Sequence, residues 1–354
     1  MLRKIGSFVG MLLLAALPAA AQKVGVVMSG GGAKGLYHIG VLEALEENGV
    51  PIDYVAGTSM GSIIAAMYAA GYSPAEMRAI VNSGVVKEWV SGRIDPNKYM
   101  AYYRQVGSNP AFLSLRIDVE SPSGKRLRVP RNLISSTQID MALTELFAPA
   151  TAAADGDFDR LMVPFLCVAS DLNHRGPVVL REGDLSEAVR SSMSIPLVFK
   201  PMVKDSMLLY DGGIYDNFPW EPLDKEFHPD FLIGSKCTSG NNDITENSSL
   251  VDQAFSLAMN KTNYDMPEGR SLMINRAVNV SMLDFNSADS IIEAGYRDAL
   301  ARIPALREKI HRTVTPEEIR TKRAAFREKC PPIIFDDYEF EGLTHAQTAY
   351  VRDV

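Results

Sequence analysis

Ser59 lies within Gly57-Thr58-Ser59-Met60-Gly61, which fits the pattern G-x-S-x-G. An apolar, β-branched run, Tyr54-Val55-Ala56, leads in. A small-residue stretch of helical character leads out to Ala70 and stops at Gly71. A strand, a sharp turn and a helix in that order are what a nucleophile elbow requires, because the turn exposes the serine hydroxyl and a Cβ at either flanking glycine would crowd it. The hydroxyl would then project at the positive end of the following helix. A tight turn of small residues around a buried structural serine meets the same pattern.

A second stretch, Ser29-Gly30-Gly31-Gly32-Ala33-Lys34-Gly35, contains G-x-G-x-x-G. A dinucleotide-binding turn would place an acidic residue at the end of the next strand to hold a ribose. Here that strand ends in the Ser59 turn, and Asp53 stands at its start. A phosphate loop of the Walker type fails as well, since Leu36 stands where lysine would follow the last glycine. The better use is a row of bare backbone N–H groups near a helix N-terminus, able to hold a developing oxyanion. One such donor is worth about 2.7–4 kcal/mol in a transition state. A plain tight turn is the remaining alternative.

A nucleophilic serine needs a base. Asp211-Gly212-Gly213 closes a strand-like run, Met207 to Tyr210. Unaided, an aspartate before two glycines reads as a turn, and a free aspartate, with a pKa of about 3.9, is a weak base. Burial beside apolar walls would raise that value and open direct proton transfer from serine. The other candidates are the five histidines, His38, His174, His228, His311 and His345. His38 falls in the helix after the glycine loop and reads as a packed residue. His228 follows Asp211 in the order that serine–histidine–aspartate triads often show, and stays open as a base.

These residues need a scaffold that brings distant strand ends together. Lys23 to Met28 reads as a strand, Gly35 to about Asn48 as a helix closed by Asn48-Gly49, and Asp53 to Ala56 as a second strand. Strand, helix, strand, helix implies a parallel sheet with crossover helices. Phe112 to Val119 and Lys125 to Val129 flank Ser-Pro-Ser-Gly as a hairpin. Ser135 to Phe147 is helical, and Leu161 to Ser170 has the apolar run of a central strand. Val178 to Arg181 and Asp230 to Lys236 read as strands, and Asp184 caps a helix toward Met193. Leu250 to Met259, Ser287 to Arg302 and a capped helix from Thr315 to about Lys329 complete the pattern. Val85 to Val90, with Trp89, reads as core or flap, with a substrate entrance as the sharper alternative.

The 354 residues carry a formal charge of −7, with 46% hydrophobic residues and 3 Cys. That excludes intrinsic disorder and a disulfide scaffold, and the acidic balance argues against a nucleic-acid partner. Residues 1–21 place Arg3 and Lys4 before an apolar run too short to span a bilayer comfortably, and Ala19-Ala20-Ala21 gives a small-residue cleavage site before Gln22. They read as a secretory signal peptide, with an uncleaved anchor as the alternative, so the protein is expected to be exported to the periplasm, outer membrane or medium. Loss of the segment takes the formal charge from −7 to −9. The cysteines show no metal-ligand spacing.

The glycine loop, the helix Leu36 to Leu45, the Ser59 motif and Asp211-Gly212-Gly213 together resemble the bacterial patatin-like phospholipase family. Ser191-Ser192-Met193-Ser194-Ile195-Pro196-Leu197-Val198-Phe199 is similar to that family's segment before the aspartate motif. The resemblance covers about Lys23 to Lys236. It implies a three-layer α/β/α hydrolase with a mainly parallel central sheet over residues 22–329, and a serine–aspartate dyad without histidine. It also implies cleavage of lipid acyl esters through an acyl-enzyme, with no metal and no organic cofactor. Carried over, Ser59 is the nucleophile, Asp211 the base and Gly30, Gly31, Gly32, Ala33, Lys34 and Gly35 the oxyanion hole, with Gly31 and Gly32 foremost as donors. Gly57 and Gly61 frame the elbow, and Gly212 and Gly213 follow the base. Lys34 replaces the arginine of many members, losing a planar donor fork, and Gly213 replaces an alanine.

Residues 330–354 resemble the opening of a POTRA module, with a strand over Ile333 to Phe340 and a helix start near Gln347. If the chain is part of a longer one, an outer-membrane barrel can follow. A terminal strand added to the main sheet is the alternative. The expected partner is a lipid or membrane-interface substrate. The rivals are a triad esterase or peptidase, a non-catalytic module that keeps the fold and, more remotely, a dehydrogenase.

Overall fold

The computed structural model describes residues 22–92, 116–118, 126–128, 134–240, 253, 256–334 and 344–352. Its centre is an eight-stranded sheet. Val24–Met28 (β1), Tyr54–Thr58 (β2), Phe165–Asp171 (β5), Phe231–Lys236 (β9) and Ser271–Asn275 (β10) lie parallel in the order β10-β9-β1-β2-β5. Three short strands extend it antiparallel: Gly176–Leu180 (β6) and Met207–Asp211 (β8) pair with β5, and Met202–Lys204 (β7) pairs with β8. Arg116–Asp118 (β3) and Arg126–Arg128 (β4) form a separate antiparallel pair, the expected hairpin.

Side chains alternate across the sheet with period two, and the two faces carry different cores. Val26, Val55, Phe165, Cys167 and Ile233 face the larger one. It is built with the helices Tyr37–Glu47 (α1), Met60–Ala69 (α2), Thr137–Ala154 (α5), Leu185–Ser192 (α6) and Ala288–Lys309 (α8). Val27, Ala56, Leu166 and Leu232 face the smaller one, closed by Trp220–Phe227 (α7) with Tyr264 and Met266. Helix, sheet and helix make the three layers that the strand–helix alternation implies.

Two helices outrun their expected ends. α5 continues past Phe147 to Ala154 with Pro149 inside it, and α8 continues past Arg302 to Lys309 with Pro304 inside it. A proline removes one helical hydrogen bond. Beyond each, buried Ala150 and Ala154, and Leu306, still face the core and hold the turn. Pro74–Asn82 (α3), Val85–Ser91 (α4), Pro316–Arg327 (α9) and His345–Arg352 (α10) are further helices. α10 contains the expected helix start near Gln347, whereas the strand expected over Ile333 to Phe340 lies mostly outside the described residues. Among the described residues no helix is long and apolar enough to cross a membrane.

Candidate active site

The site forms where two strands meet end to end. β2 runs parallel to β5 and reaches it as far as Thr58 opposite Val168. β8 runs antiparallel to β5 and ends with Asp211 opposite Ala169, the next residue along. β6 occupies the other edge of β5 over the same stretch, so β2 and β8 share one edge and their C-terminal ends abut. The residue after β2 is Ser59 and the last residue of β8 is Asp211. Ser59 Oγ donates to Asp211 Oδ2 at 2.6 Å, across 152 positions of sequence.

Ser59 holds φ 53° and ψ −123°, a conformation that non-glycine residues rarely adopt. Its neighbours over-determine it. Its N–H donates to Ser192 Oγ at 3.0 Å, and that hydroxyl donates to Val168 O at 2.6 Å. Its carbonyl accepts from Ser62 N at 2.9 Å and Ser62 Oγ at 2.6 Å, at the start of α2. The flanking glycines are there for contact: a Cβ on Gly57 would overlap the Gly61 carbonyl, and one on Gly61 would overlap Met28 O.

Asp211 is fully buried. Desolvation pushes its carboxyl up from 3.8 to about 7, against the opposing pull of hydrogen bonds from Ser59 and the Gly213 amide. The Gly213 N–H donates to Oδ1 at 2.8 Å, leaving Oδ2 to Ser59. The Asp211 N–H donates to Ser194 O at 2.9 Å. Ser192 and Ser194 therefore fix the backbone of both partners, a role the sequence pattern left unassigned although it marked the segment. Arg190, 3% exposed, anchors that segment through Asp140 at 2.5 Å, Ser194 Oγ at 2.6 Å and Lys200 O at 3.0 Å.

The glycine loop runs beside Ser59. A Cβ on Gly30 would lie 3.1 Å from Ser59 Cβ and would overlap Asn217 Oδ1. Gly30 N donates to Asn217 O at 3.1 Å, Ala33 N to Met282 O at 2.7 Å and Lys34 N to Gly31 O at 3.3 Å. The amides of Gly31 and Gly32 show no acceptor among the described residues. Gly32 has φ +57°, and a Cβ there would overlap Met282 O. Gly35 lies in the 3-10 turn Gly32–Leu36 that leads into α1, where a Cβ would lie 2.5 Å from Met60 Cγ. Gly212 turns the chain hard against β5, with Val168 O where a Cβ would go. Two adjacent free N–H groups, a serine hydroxyl and a carboxyl near neutrality can together carry out nucleophilic acyl transfer. Asn217 was not foreseen; its only sequence signal is its place six residues past Asp211.

The histidines lie elsewhere. His38 is fully buried in α1, bonded to Ser29 O and Ser235 Oγ. His174 is 75% exposed and pairs with Asp171. His228 caps the C-terminus of α7, three residues before β9 begins. That is the N-terminal end of the parallel strands, the end opposite Ser59. His311 lies beyond α8, its N–H on Gln22 Oε1, and His345 begins α10. Trp89 and Val90 of α4 pack half-buried against the larger core. Among the described residues no group of three or more His, Cys, Asp or Glu is arranged to hold a metal.

A model of the family described as patatin-like phospholipase matches residues 26–224. An uncharacterized NTE family protein of Mycobacterium tuberculosis is 25% identical over 313 residues, covering 81% of this chain and 47% of its own. Lysophospholipase NTE1 of Cryptococcus neoformans is 30% identical over 215 residues, covering 60% of this chain and 11% of its own. Patatin-like phospholipase domain-containing protein 6 of Homo sapiens is 30% identical over 198 residues, or 55% and 12%. The chain thus spans about half the length of the first of these relatives and about a tenth of the other two. Among solved structures, VipD from Legionella pneumophila is similar with a TM-score of 0.42 and 15% identity, covering 81% of this chain and 67% of that one.

Proposed function

The chain belongs to the patatin-like phospholipase family, and from that premise we propose that it hydrolyses fatty-acyl esters of lipids through a Ser59–Asp211 dyad and an acyl-enzyme. Asp211 Oδ2 takes the Ser59 Oγ proton as Oγ attacks the ester carbonyl carbon. The carbonyl oxygen, now an oxyanion, is held by the Gly31 and Gly32 amides, with the N-terminus of α2 adding a favourable field. The intermediate collapses, and the alcohol leaves with the proton from Asp211. Water then gives a proton to Asp211 and attacks the acyl-serine. Collapse returns that proton to Ser59 Oγ and releases the fatty acid.

The observation that carries this reading is the 2.6 Å contact between Ser59 Oγ and a buried carboxyl poised at about 7. A base is most effective when its pKa lies near the working pH. The substrate class, a phospholipid or lysophospholipid, is supported by the family and by the printed names of the two 30% identical relatives. The same reading includes export, with residues 1–21 removed and Gln22 the first residue of the mature chain. N-terminal sequencing of secreted or periplasmic material checks it.

The test is hydrolysis of a lipid panel by wild type, Ser59→Ala and Asp211→Asn. Both variants should lose about 10³-fold or more in kcat while staying folded. A folded Asp211→Asn enzyme with near-wild-type turnover, or a comparable loss in His228→Ala, would replace the dyad with a triad. Wild-type protein that no fluorophosphonate labels would replace the enzyme with a binding module.

A further inference from the structure

We propose that His38 is a positioning residue for the oxyanion loop: its neutral imidazole, protonated on Nε2, holds the Ser29 carbonyl and with Ser235 and Cys237 fixes the peptide planes that aim the Gly31 and Gly32 amides. The inference rests on the proposed function, because it assigns those two amides to the oxyanion.

His38 belongs to α1 and is fully buried. Nε2 lies 2.9 Å from Ser29 O and Nδ1 lies 2.7 Å from Ser235 Oγ. A carbonyl only accepts, so Nε2 carries the hydrogen. Nδ1 is then the acceptor, and the Ser235 hydroxyl donates to it. This network assigns the tautomer without ambiguity. Burial draws the imidazole down to about 4, so it is neutral at ordinary pH.

The bonds around Ser29 radiate from that point. Ser29 N donates to Ser235 O at 3.1 Å, and Ser29 Oγ accepts from Cys237 N at 3.2 Å. The Cys237 thiol faces Gly30 O at 3.5 Å. In a trans peptide the carbonyl and the following N–H point in opposite directions. Tying Gly30 O toward the end of β9 therefore turns the Gly31 N–H away from β9. The amides of Ser29, Gly30, Ala33 and Lys34 all have backbone acceptors, whereas those of Gly31 and Gly32 have none among the described residues. The loop is thus tied at both ends and left open at two adjacent donors. His38 contributes the bond to Ser29 O and touches no reacting atom, so it acts through the loop.

Side-chain length supplies the test. Glutamine places a terminal N–H at the depth of Nε2 and reaches Ser29 O. Asparagine reaches only the depth of Nδ1 and leaves that carbonyl without a donor. In the full chain, with kcat counted per folded molecule by near-UV circular dichroism, His38→Gln should stay within about threefold of wild type. His38→Asn and His38→Ala should lose roughly 10- to 100-fold in kcat, with KM held within about twofold, as expected for a displaced oxyanion donor. A trifluoromethyl ketone, which forms a tetrahedral adduct on serine, should weaken by the same factor as kcat/KM. A non-hydrolysable ether lipid should bind unchanged.

If the His38 variants do not fold, Ser235→Ala keeps the Nε2 bond but frees the tautomer, and should show an intermediate loss of kcat with the same split. Folded His38→Asn enzyme with wild-type kcat overturns the proposal. So does a glutamine variant no better than alanine, Ser235→Ala at wild-type kcat, or ether-lipid binding that falls in step with kcat. If Ser59→Ala and Asp211→Asn abolish turnover while His38→Asn does not, only the positioning role fails. If those two variants remain active, the proposed function fails first.

Discussion

Ser59 and Asp211 meet because Thr58 and Asp211 pair with consecutive residues, Val168 and Ala169, on one edge of β5. A parallel and an antiparallel neighbour converge there, so the Ser59–Asp211 contact is held by sheet register and does not depend on a loop closing. The cost of this arrangement is a carboxyl with no water around it.

That cost makes activity and stability respond to pH in opposite directions. Asp211 is raised from 3.8 to about 7, so the folded chain binds its proton more tightly than the unfolded chain does. Its stabilising contribution is complete below about pH 4 and is lost as pH rises toward 7, a change of the order of 4 kcal/mol at 1.36 kcal/mol per unit. As the proposed base, by contrast, Asp211 is competent only when ionised. The kcat/KM of a soluble acyl ester should climb tenfold per pH unit below about 7 and level off above it. Urea midpoints should fall between pH 5 and pH 8 in wild type, and less in Asp211→Asn. A flat rate profile from pH 5 to 8 would show a different base.

Gly61→Ala should damage the site through the backbone. A Cβ there overlaps Met28 O and lies 2.6 Å from Ser29 O, where β1 passes into the glycine loop. To make room, α2 must retreat from β1 and carry Ser59 with it. Over-packing of this kind costs about 1–3 kcal/mol. Thermal unfolding followed by circular dichroism should show that loss, and kcat per folded molecule should fall as well.

The chain displayed its chemistry more openly than its supports. Ser59, Asp211 and the glycine loop were legible because strained turns and close approaches restrict residue type, and the strand before each is plainly apolar. The alternation around β1, α1, β2 and α2 gave the parallel centre for the same reason. α3 was missed although Ser73-Pro74-Ala75-Glu76 is a capping box like the one recognised at Thr315, and both boxes form. The helix is only half-buried, so its apolar period is faint. The ends of α5 and α8 were misjudged at Pro149 and Pro304, where tertiary burial outweighs the broken hydrogen bond. Asn217, Ser192, Ser194 and Arg190 act through hydrogen bonds to residues distant in the chain, and no local pattern reports such partners.

Arg190→Met should loosen Asp211. The guanidinium satisfies Asp140, Ser194 Oγ and Lys200 O at once and lies 5.3 Å from the Phe199 ring centre. Asp140 is 45% exposed and is rehydrated when its partner goes. The loss is therefore set mainly by the two oxygens left with fewer donors, about 2 kcal/mol, or roughly 3 °C in Tm for a domain of this size. Because Ser194 O receives the Asp211 amide, kcat should drop beyond what unfolding explains. An unchanged kcat in folded variant would free the aspartate's placement from this anchor.

His228 separates the dyad from the triad and also carries a sign that a structural reading fixes. It caps α7 with φ +47° and ψ 54°, a left-handed conformation that costs a side-chain-bearing residue about 1–2 kcal/mol relative to glycine. Part of that gain returns as the extra freedom of glycine in the unfolded chain. His228→Gly should therefore stabilise by about 0.5–1 kcal/mol, seen as a higher urea midpoint at unchanged slope. Since the residue precedes β9, at the end of the parallel strands away from Ser59, its replacement should leave lipid hydrolysis within twofold of wild type. A stabilised but inactive His228→Gly protein would make this imidazole the base and end the serine–aspartate account.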